Sequence, residues 1–494
     1  MTVDVDAAIE DFLRHSRQPV LMEPGEDPLP ITPETFALRK SVMVTVECWS
    51  ETRNLVRRVR GVLRQKRGSV ELEVERFGGR AGSLLLVDLA DPANYDARRR
   101  GSRLKYRERF RLSLRRQFPG WRIAELSTEP DLHHSLSPSY PRALLRKGGS
   151  AMAAIGAAQD SPSPESVLSF GLIWLDYLRH RETRMGIEGL AIFVPAGAEI
   201  TTCHRVRRLN PQAARYLVFV HDAGQEDAIE PGDYTNFETH LNPCRRAMSE
   251  GPPRVLEWVD QISKIEGVER RDRNDGSVSL AVNGLEFARA AGAELLFGID
   301  HKHPARSAAH FDEIEQIARG LARMRTSRAP DRGNPMYTRH PEAWLESKVR
   351  ASVETLDATL YPNPVYGQVP QFAAGERGVI DLLAADRNGR LSVIELKAVQ
   401  DIHLPLQALD YWMRVKWHLD RGEFASRGYF PGIGLSQVAP KLLLVAPALD
   451  FHPSNETLLR YFSPEVPVER IGIGIEWRQN LRIMFRVPSC SARL

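Results

Sequence analysis

Between Gly375 and Tyr411 (GERGVIDLLAADRNGRLSVIELKAVQDIHLPLQALDY) two apolar runs carry Asp381 and Glu395 within them and Lys397 just after the second. Two apolar runs, Gly378–Ala385 and Leu391–Leu396, flank Asp386-Arg387-Asn388-Gly389-Arg390, whose Asn-Gly pair signals a hairpin. Runs apolar on both faces belong to central strands covered on two sides, and charges placed there must be paired or bind a metal. Register decides whether the two acids meet. A two-residue loop, Asn388-Gly389, sets Asp381 against Leu396 and turns its carboxylate away from Glu395. A three-residue loop, Arg387-Asn388-Gly389, closed by Gly389 in the left-handed conformation, sets Asp381 across from Glu395, with Lys397 on the same face. We expect the three-residue loop. Two carboxylates so placed suit Mg²⁺ or Mn²⁺, and such a metal polarises a phosphodiester and lowers the pKa of a bound water. An ammonium beside it orients or helps deprotonate that water and offsets developing charge. The plain alternative is a buried ion pair of Lys397 with Glu395 or Asp381 and no catalysis.

Asp381, thirteen intervening residues and then Glu395-Leu396-Lys397 on the next strand resembles the PD-(D/E)xK nuclease superfamily, and GVIDLL…VIELK is similar to its DNA-repair and RecB-like members. Gln407-Ala408-Leu409-Asp410-Tyr411 matches the QxxxY helix motif of the RecB-like nucleases, with Gln407 and Tyr411 one turn apart on one face. Upstream, Pro341-Glu342-Ala343-Trp344-Leu345-Glu346 opens a helix with proline in its first turn, where the superfamily supplies a helical glutamate; Glu346 fits the family style better than Glu342. Ile380 stands where many members have proline. The resemblance covers about residues 335–494. It implies a restriction-endonuclease-like domain, a central mixed sheet flanked by helices. It also implies a magnesium- or manganese-dependent nuclease acting on nucleic acid, DNA foremost. Glu346, Asp381 and Glu395 would hold the metal, Lys397 would position the attacking water, and Gln407 and Tyr411 would support the site or the bound strand. A rival of another class is a non-cleaving nucleic-acid-binding or scaffold protein that keeps the fold. The intact set of acids, lysine and glutamine counts against it, because buried charges cost stability.

The rest of the chain has to position these residues. We expect an α/β protein in four parts: a basic α+β module over residues 1–160, an α/β module without catalytic acids over 161–250, a small α+β connector over 251–330, and the nuclease-like domain over 331–494. Strands are expected at 41–49 and 69–90, the latter a hairpin around Gly78 and Gly79, then at 189–194, 216–220, 277–282, 293–299, 441–445 and 471–477. Helices are expected at 106–117, 167–181 and 308–325, and no internal repeat is visible. Asp300-His301-Lys302-His303 lacks a second ligand pair at fixed spacing and reads as a surface turn rather than a metal corner.

Charge is unevenly spread. The 494 residues carry 67 basic and 63 acidic side chains, yet residues 1–150 hold 27 basic and 20 acidic ones (+7), residues 151–330 hold 21 and 25 (−4), and residues 331–494 hold 19 and 18 (+1). The densest basic run, Arg98–Arg116, has ten basic residues against Glu108 alone, and Arg107, Arg111 and Arg115 recur at helical spacing. Such a stripe can track phosphates; the alternative is a solvated face paired with acids such as Glu71, Glu73 and Glu75. Arg377, just before Asp381, is a further candidate phosphate contact. Four scattered cysteines (Cys48, Cys203, Cys244, Cys490) form no CxxC pair, and no run reaches about 18 apolar residues. A reducing, cytoplasmic setting without membrane association is therefore the expectation.

Overall fold

The computed structural model describes residues 4–489 except 24–28, 41–43, 50–53, 76–80, 92–94, 162, 223–224, 238, 245–251, 274 and 374–375. These residues form a mixed α/β structure with four β-sheets. Residues 19–88 build a seven-stranded antiparallel sheet, covered by the helix Val5–His15 through Ile9 and Phe12. The strand Ser69–Glu75 buries Val70, Leu72 and Val74 and turns Glu71, Glu73 and Glu75 outward. Glu75 and Glu71 stand opposite Arg58 and Arg64 of the neighbouring strand, so that strand, rather than the run at 98–116, answers them. The turn expected at Gly78 and Gly79 lies outside the described residues.

The second sheet begins with helix α1 (Tyr95–Gln117) and the antiparallel strands β1 (Arg122–Ser127), β2 (Arg142–Lys147) and β3 (Ser150–Gly156). Helix α2 (Val167–Arg181), strand β4 (Gly186–Pro195), helix α3 (Glu199–Val206), strand β5 (Arg215–Asp222) and strand β6 (Gln225–Ile229) follow, with β3, β4 and β5 mutually parallel. This sheet draws strands from both sides of residue 160, so the division expected there falls inside one layer. The apolar side chains Phe110, Leu114 and Phe118 clamp α1 onto it, which separates the arginine-rich helix from the N-terminal sheet. Residues 253–324 form a five-stranded antiparallel sheet backed by two helices.

The C-terminal sheet is mixed and seven-stranded. Its first strand, β7 (Thr239–Leu241), comes from the segment assigned to the α/β module over 161–250 and pairs with β8 (Tyr366–Ala373). Helix α4 (Pro341–Ala351) precedes β8, β9 (Glu376–Ala385) and β10 (Leu391–Leu396); helix α5 (Leu404–Asp420), β11 (Lys441–Pro447), helix α6 (Ser454–Arg460), β12 (Val468–Ile473) and β13 (Ile483–Pro488) complete it. β12 stops at Ile473, because Gly474–Trp477 closes a turn (Trp477 N–H to Gly474 O, 3.1 Å); the strand expected through Trp477 is shorter. Alternation assigns the two faces. Leu382, Ala384, Ile394 and Leu396 pack under Trp344, Leu345 and Val349 of α4, whereas Leu383, Ala385, Leu391 and Val393 pack under Leu404, Leu409 and Trp412 of α5.

The second core is continuous with the second sheet: Leu144, Ile155, Leu172 and Trp174 belong to the same buried cluster as Leu409 and Leu458. An ion pair locks this junction. Arg205 of α3, buried, sets its fork on Asp410 of α5 (Nε–Oδ1 3.0 Å, Nη2–Oδ2 2.7 Å) and gives Nη1 to the Glu165 carbonyl at 2.6 Å. Removing one partner of a buried pair strands the other charge. Arg205→Ala is therefore expected to lower unfolding free energy by about 3–5 kcal/mol in urea denaturation, with much of the loss recovered in Arg205→Met/Asp410→Leu. An Arg205→Ala protein of unchanged stability would contradict this.

Candidate active site

The loop between β9 and β10 has three residues. Asp386 pairs with Arg390 (Asp386 N–H to Arg390 O, 2.9 Å), the Gly389 N–H returns to the Asp386 carbonyl at 2.8 Å, and the Asp386 carboxylate caps the turn by accepting from the Asn388 and Arg390 N–H groups, both at 2.9 Å. Gly389 has φ +74°, and a Cβ there would collide with the Gly434 carbonyl, so glycine is required twice over. Leu382 consequently pairs with Ile394, and the next step of the ladder sets Asp381 across from Glu395. Both face α5.

Burial governs the electrostatics of this pair. Asp381 Oδ2 accepts the Leu396 N–H at 2.9 Å. Burial pushes the Asp381 carboxyl up to about 6; the Leu396 N–H and Lys397 act the other way, while the charges of Glu346 and Glu342 push it further up. Glu395 is 3% exposed, and its Oε2 is buried without a hydrogen-bond partner among the described residues. Burial, and next the facing charge of Asp381, hold its carboxyl well above the usual range. Lys397 follows β10, anchored by its N–H to the Val445 carbonyl at 3.0 Å. Its Nζ lies 4.0 Å from Glu395 Oε1 and 3.4 Å from Asp401 Oδ2. Asp401 was not singled out from sequence; its place four residues after Lys397 was the available signal. On α5, burial and then the charges of Glu395 and Asp381 raise the Tyr411 phenol, so the ring senses the acid pair. Gln407 is half-buried one turn earlier and makes no side-chain hydrogen bond among the described residues.

Glu346 is placed differently. It sits on α4, beyond the opposite face of the sheet, and both its oxygens are engaged: Oε2 by Arg271 at 3.3 Å and Oε1 by Arg350, whose Nε lies at 3.1 Å. Gly367 on β8 gives Arg350 its path, since a Cβ there would meet the guanidinium. Among the described residues no three His, Cys, Asp or Glu side chains are gathered to hold a metal ion, and Glu346 acts on Asp381 through its charge. Glu346→Ala would take its carboxylate from Arg350 and leave the largely buried Arg271 with Glu269, at 2.7 Å, as its remaining carboxylate. A loss of about 3 kcal/mol in unfolding free energy is expected, read by urea denaturation in metal-free buffer. Unchanged stability would show that the arginines do not depend on it.

Helix α4 itself is held by a residue that no motif flagged. Arg325, fully buried, donates to the carbonyls of Asn283 (3.0 Å), Met336 (2.8 Å), Arg339 (2.6 Å) and His340 (3.0 Å) and lies 4.8 Å from the Trp344 ring. The basic stripe is partly neutralised: Arg107 and Arg111 both pair with Glu108, at 3.2 and 2.5 Å, while Arg115 is exposed. All three lie on α1 in the second sheet's layer, not beside Asp381. The Arg377 side chain lies outside the described residues. Asp300–His303 is an exposed stretch leading into the edge strand His303–Pro304, with Asp300 paired to Arg339 and Lys302 to Glu286 at 3.3 Å. No helix among the described residues is long and apolar enough to cross a membrane. Comparison with known proteins gives no assignment: no protein-family model and no curated protein matches the chain.

Proposed function

We propose that the C-terminal module is a metal-dependent nuclease of the PD-(D/E)xK kind, hydrolysing phosphodiester bonds, with DNA the favoured substrate. One observation carries the reading: a buried acid, Glu395, with an orphaned oxygen faces a largely buried one, Asp381, across adjacent strands, and a lysine stands at their edge. Two facing carboxylates, one of them with an oxygen that no donor satisfies, are costly unless a cation resides between or beside them. Asp381 and Glu395 offer the hard oxygen donors that Mg²⁺ or Mn²⁺ takes. Bound there, such an ion would polarise the phosphodiester and acidify a water. Lys397 orients that water and offsets the charge that builds on the phosphate. Tyr411 and Gln407 line the helix above the acids and support the substrate strand, and Arg107, Arg111, Arg115 and Arg377 are the candidate backbone contacts.

Cleavage of linear, circular, single-stranded and branched DNA and of RNA, with Mg²⁺, Mn²⁺ or a chelator, tests the reading. Metal-dependent cleavage of at least one substrate is expected, and none on any would sink it. One observation favours the second reading, a non-cleaving nucleic-acid-binding scaffold: Glu346, the third acid, is taken by two arginines. Calorimetric titration of Mn²⁺ separates the two, since a nuclease site loses its heat of binding in Asp381→Asn and a scaffold shows no difference.

A further inference from the structure

Apart from the edge strand β7, two of the four sheets share one topology. In the second sheet a helix (α1) leads to an antiparallel meander (β1–β3), then α2, parallel β4, α3, parallel β5 and antiparallel β6. In the C-terminal sheet α4 leads to β8–β10, then α5, parallel β11, α6, parallel β12 and antiparallel β13. Around the acid pair the registers correspond, although the turn between β2 and β3 has two residues where that between β9 and β10 has three. Gly156 pairs with Phe193 as Leu396 pairs with Val445, and Ile155 pairs with Arg142 where Glu395 stands against Asp381. The Ala157 N–H reaches the Phe193 carbonyl at 2.9 Å, just as the Lys397 N–H reaches that of Val445 at 3.0 Å. Faces agree as well: Ala143, Leu145 and Ala154 lie under α1 where Leu382, Ala384 and Ile394 lie under α4.

At the positions of Asp381, Glu395 and Lys397 the second sheet thus carries Arg142, Ile155 and Ala157. Neither acid nor amine remains. Gly171 of α2 also closes onto Ile155, leaving no room for a Cβ, so the hollow is filled. The two layers meet helix to helix, α2 on α6 and α3 on α5. Since α2 corresponds to α5 and α3 to α6, these two contacts are equivalent under exchange of the layers, as about a two-fold axis. The erased layer therefore stands where a second catalytic copy would stand in a symmetric dimer. That face is sealed by the Arg205–Asp410 fork, by His403 Nδ1 3.1 Å from Ser169 Oγ, and by a common apolar core.

We propose that the chain is an internally duplicated, single-centre enzyme whose erased half occludes pairing of two catalytic halves, so that each bound chain cuts one strand of a duplex. This rests on the nuclease reading. In each event the water oxygen joins phosphorus, one P–O bond to a sugar breaks, and a proton ends on the released hydroxyl, with no concerted cut opposite. The test uses the full chain with Mg²⁺ or Mn²⁺ on supercoiled plasmid and on a linear duplex whose strands carry different fluorophores. Expected are open circles that accumulate before linear product, uncorrelated cuts on the two labelled strands, and rates first order in protein. In sedimentation with a short duplex, the Asp381→Asn chain is expected to bind one chain per duplex. Linear plasmid formed without an open-circle intermediate, or an obligatory two-chain complex, would overturn the proposal. No cleavage of any substrate overturns the nuclease reading, and this proposal with it.

Discussion

Lys397→Ala is expected to cut the rate of phosphodiester cleavage by about 10²–10⁴-fold, the range typical of a lost group acting on the reacting proton. The effect should fall on kcat rather than on KM. The Lys397 ammonium is 3.4 Å from Asp401 and 4.0 Å from Glu395, and it is partly exposed, so it stands at the mouth of the acid pair rather than along a binding surface. Its removal has a second consequence. Lys397 acts to lower the carboxyls of both Asp381 and Glu395, and without it both acids are held still higher. The acidic limb of the rate profile should therefore move to higher pH, which a structural lysine without a role at the acids would not cause. Lys397→Arg is not a rescue in advance, because a planar fork on a different stem replaces a compact point charge. Equal single-turnover rates for wild type and Lys397→Ala would remove the lysine, and the proposed chemistry with it, from the site.

The hairpin that carries the proposed site was legible because its information is local. Asn388-Gly389 demands a turn, alternation ties the choice between a two- and a three-residue loop to which residues meet, and the three-residue loop that sets Asp381 across from Glu395 is the one formed. Helix α5 and the start of α4 at Pro341 were legible for the same reason, through periodicity and a proline at the first turn. The environment of Glu346 was not. Arg350 lies four residues on along the same helix, but its other partner, Arg271, lies 75 residues away on another sheet, and nothing in the spacing of those two residues announces the pair. The boundary expected at residue 160 failed because composition marks the linker before α2, whereas the sheet crosses it: β3 and β4 pair although the linker and α2 separate them. The strand Asn54–Lys66 was missed since its many arginines hide an alternating pattern. The shared topology of two sheets left no repeat in the sequence, because what is preserved is register and face, and the residues that would have betrayed it, Arg142, Ile155 and Ala157, are the ones that changed.

Asp381→Asn is expected to make the metal-free protein more stable at pH 8 by about 2–3 kcal/mol, the equivalent of a carboxyl raised from 3.8 to about 6. The sign follows from where the proton is held. The folded protein binds the Asp381 proton more tightly than the unfolded chain, so between about 4 and about 6 the native state carries more protons and stability falls as pH rises. Below that window the cost is absent, and above it the cost is complete. Asparagine removes the titration while keeping an oxygen that can accept the Leu396 N–H. It also removes the charge that helps hold the Glu395 carboxyl high, which adds to the gain. The advantage of the variant over wild type, read by urea denaturation in chelator, should accordingly shrink as pH is lowered from 8 toward 4. A divalent cation should reverse the order: at a concentration of 100 times its Kd it stabilises wild type by about 2.7 kcal/mol and leaves the variant nearly unmoved. A gap that stays constant with pH would mean that the acid pair is not under strain in the folded protein. A variant stabilised by Mn²⁺ as much as wild type would mean that the strain, though present, is not there for a metal. The two halves of the experiment thus test separately whether the fold holds two acids against their preference and whether that tension serves a cation.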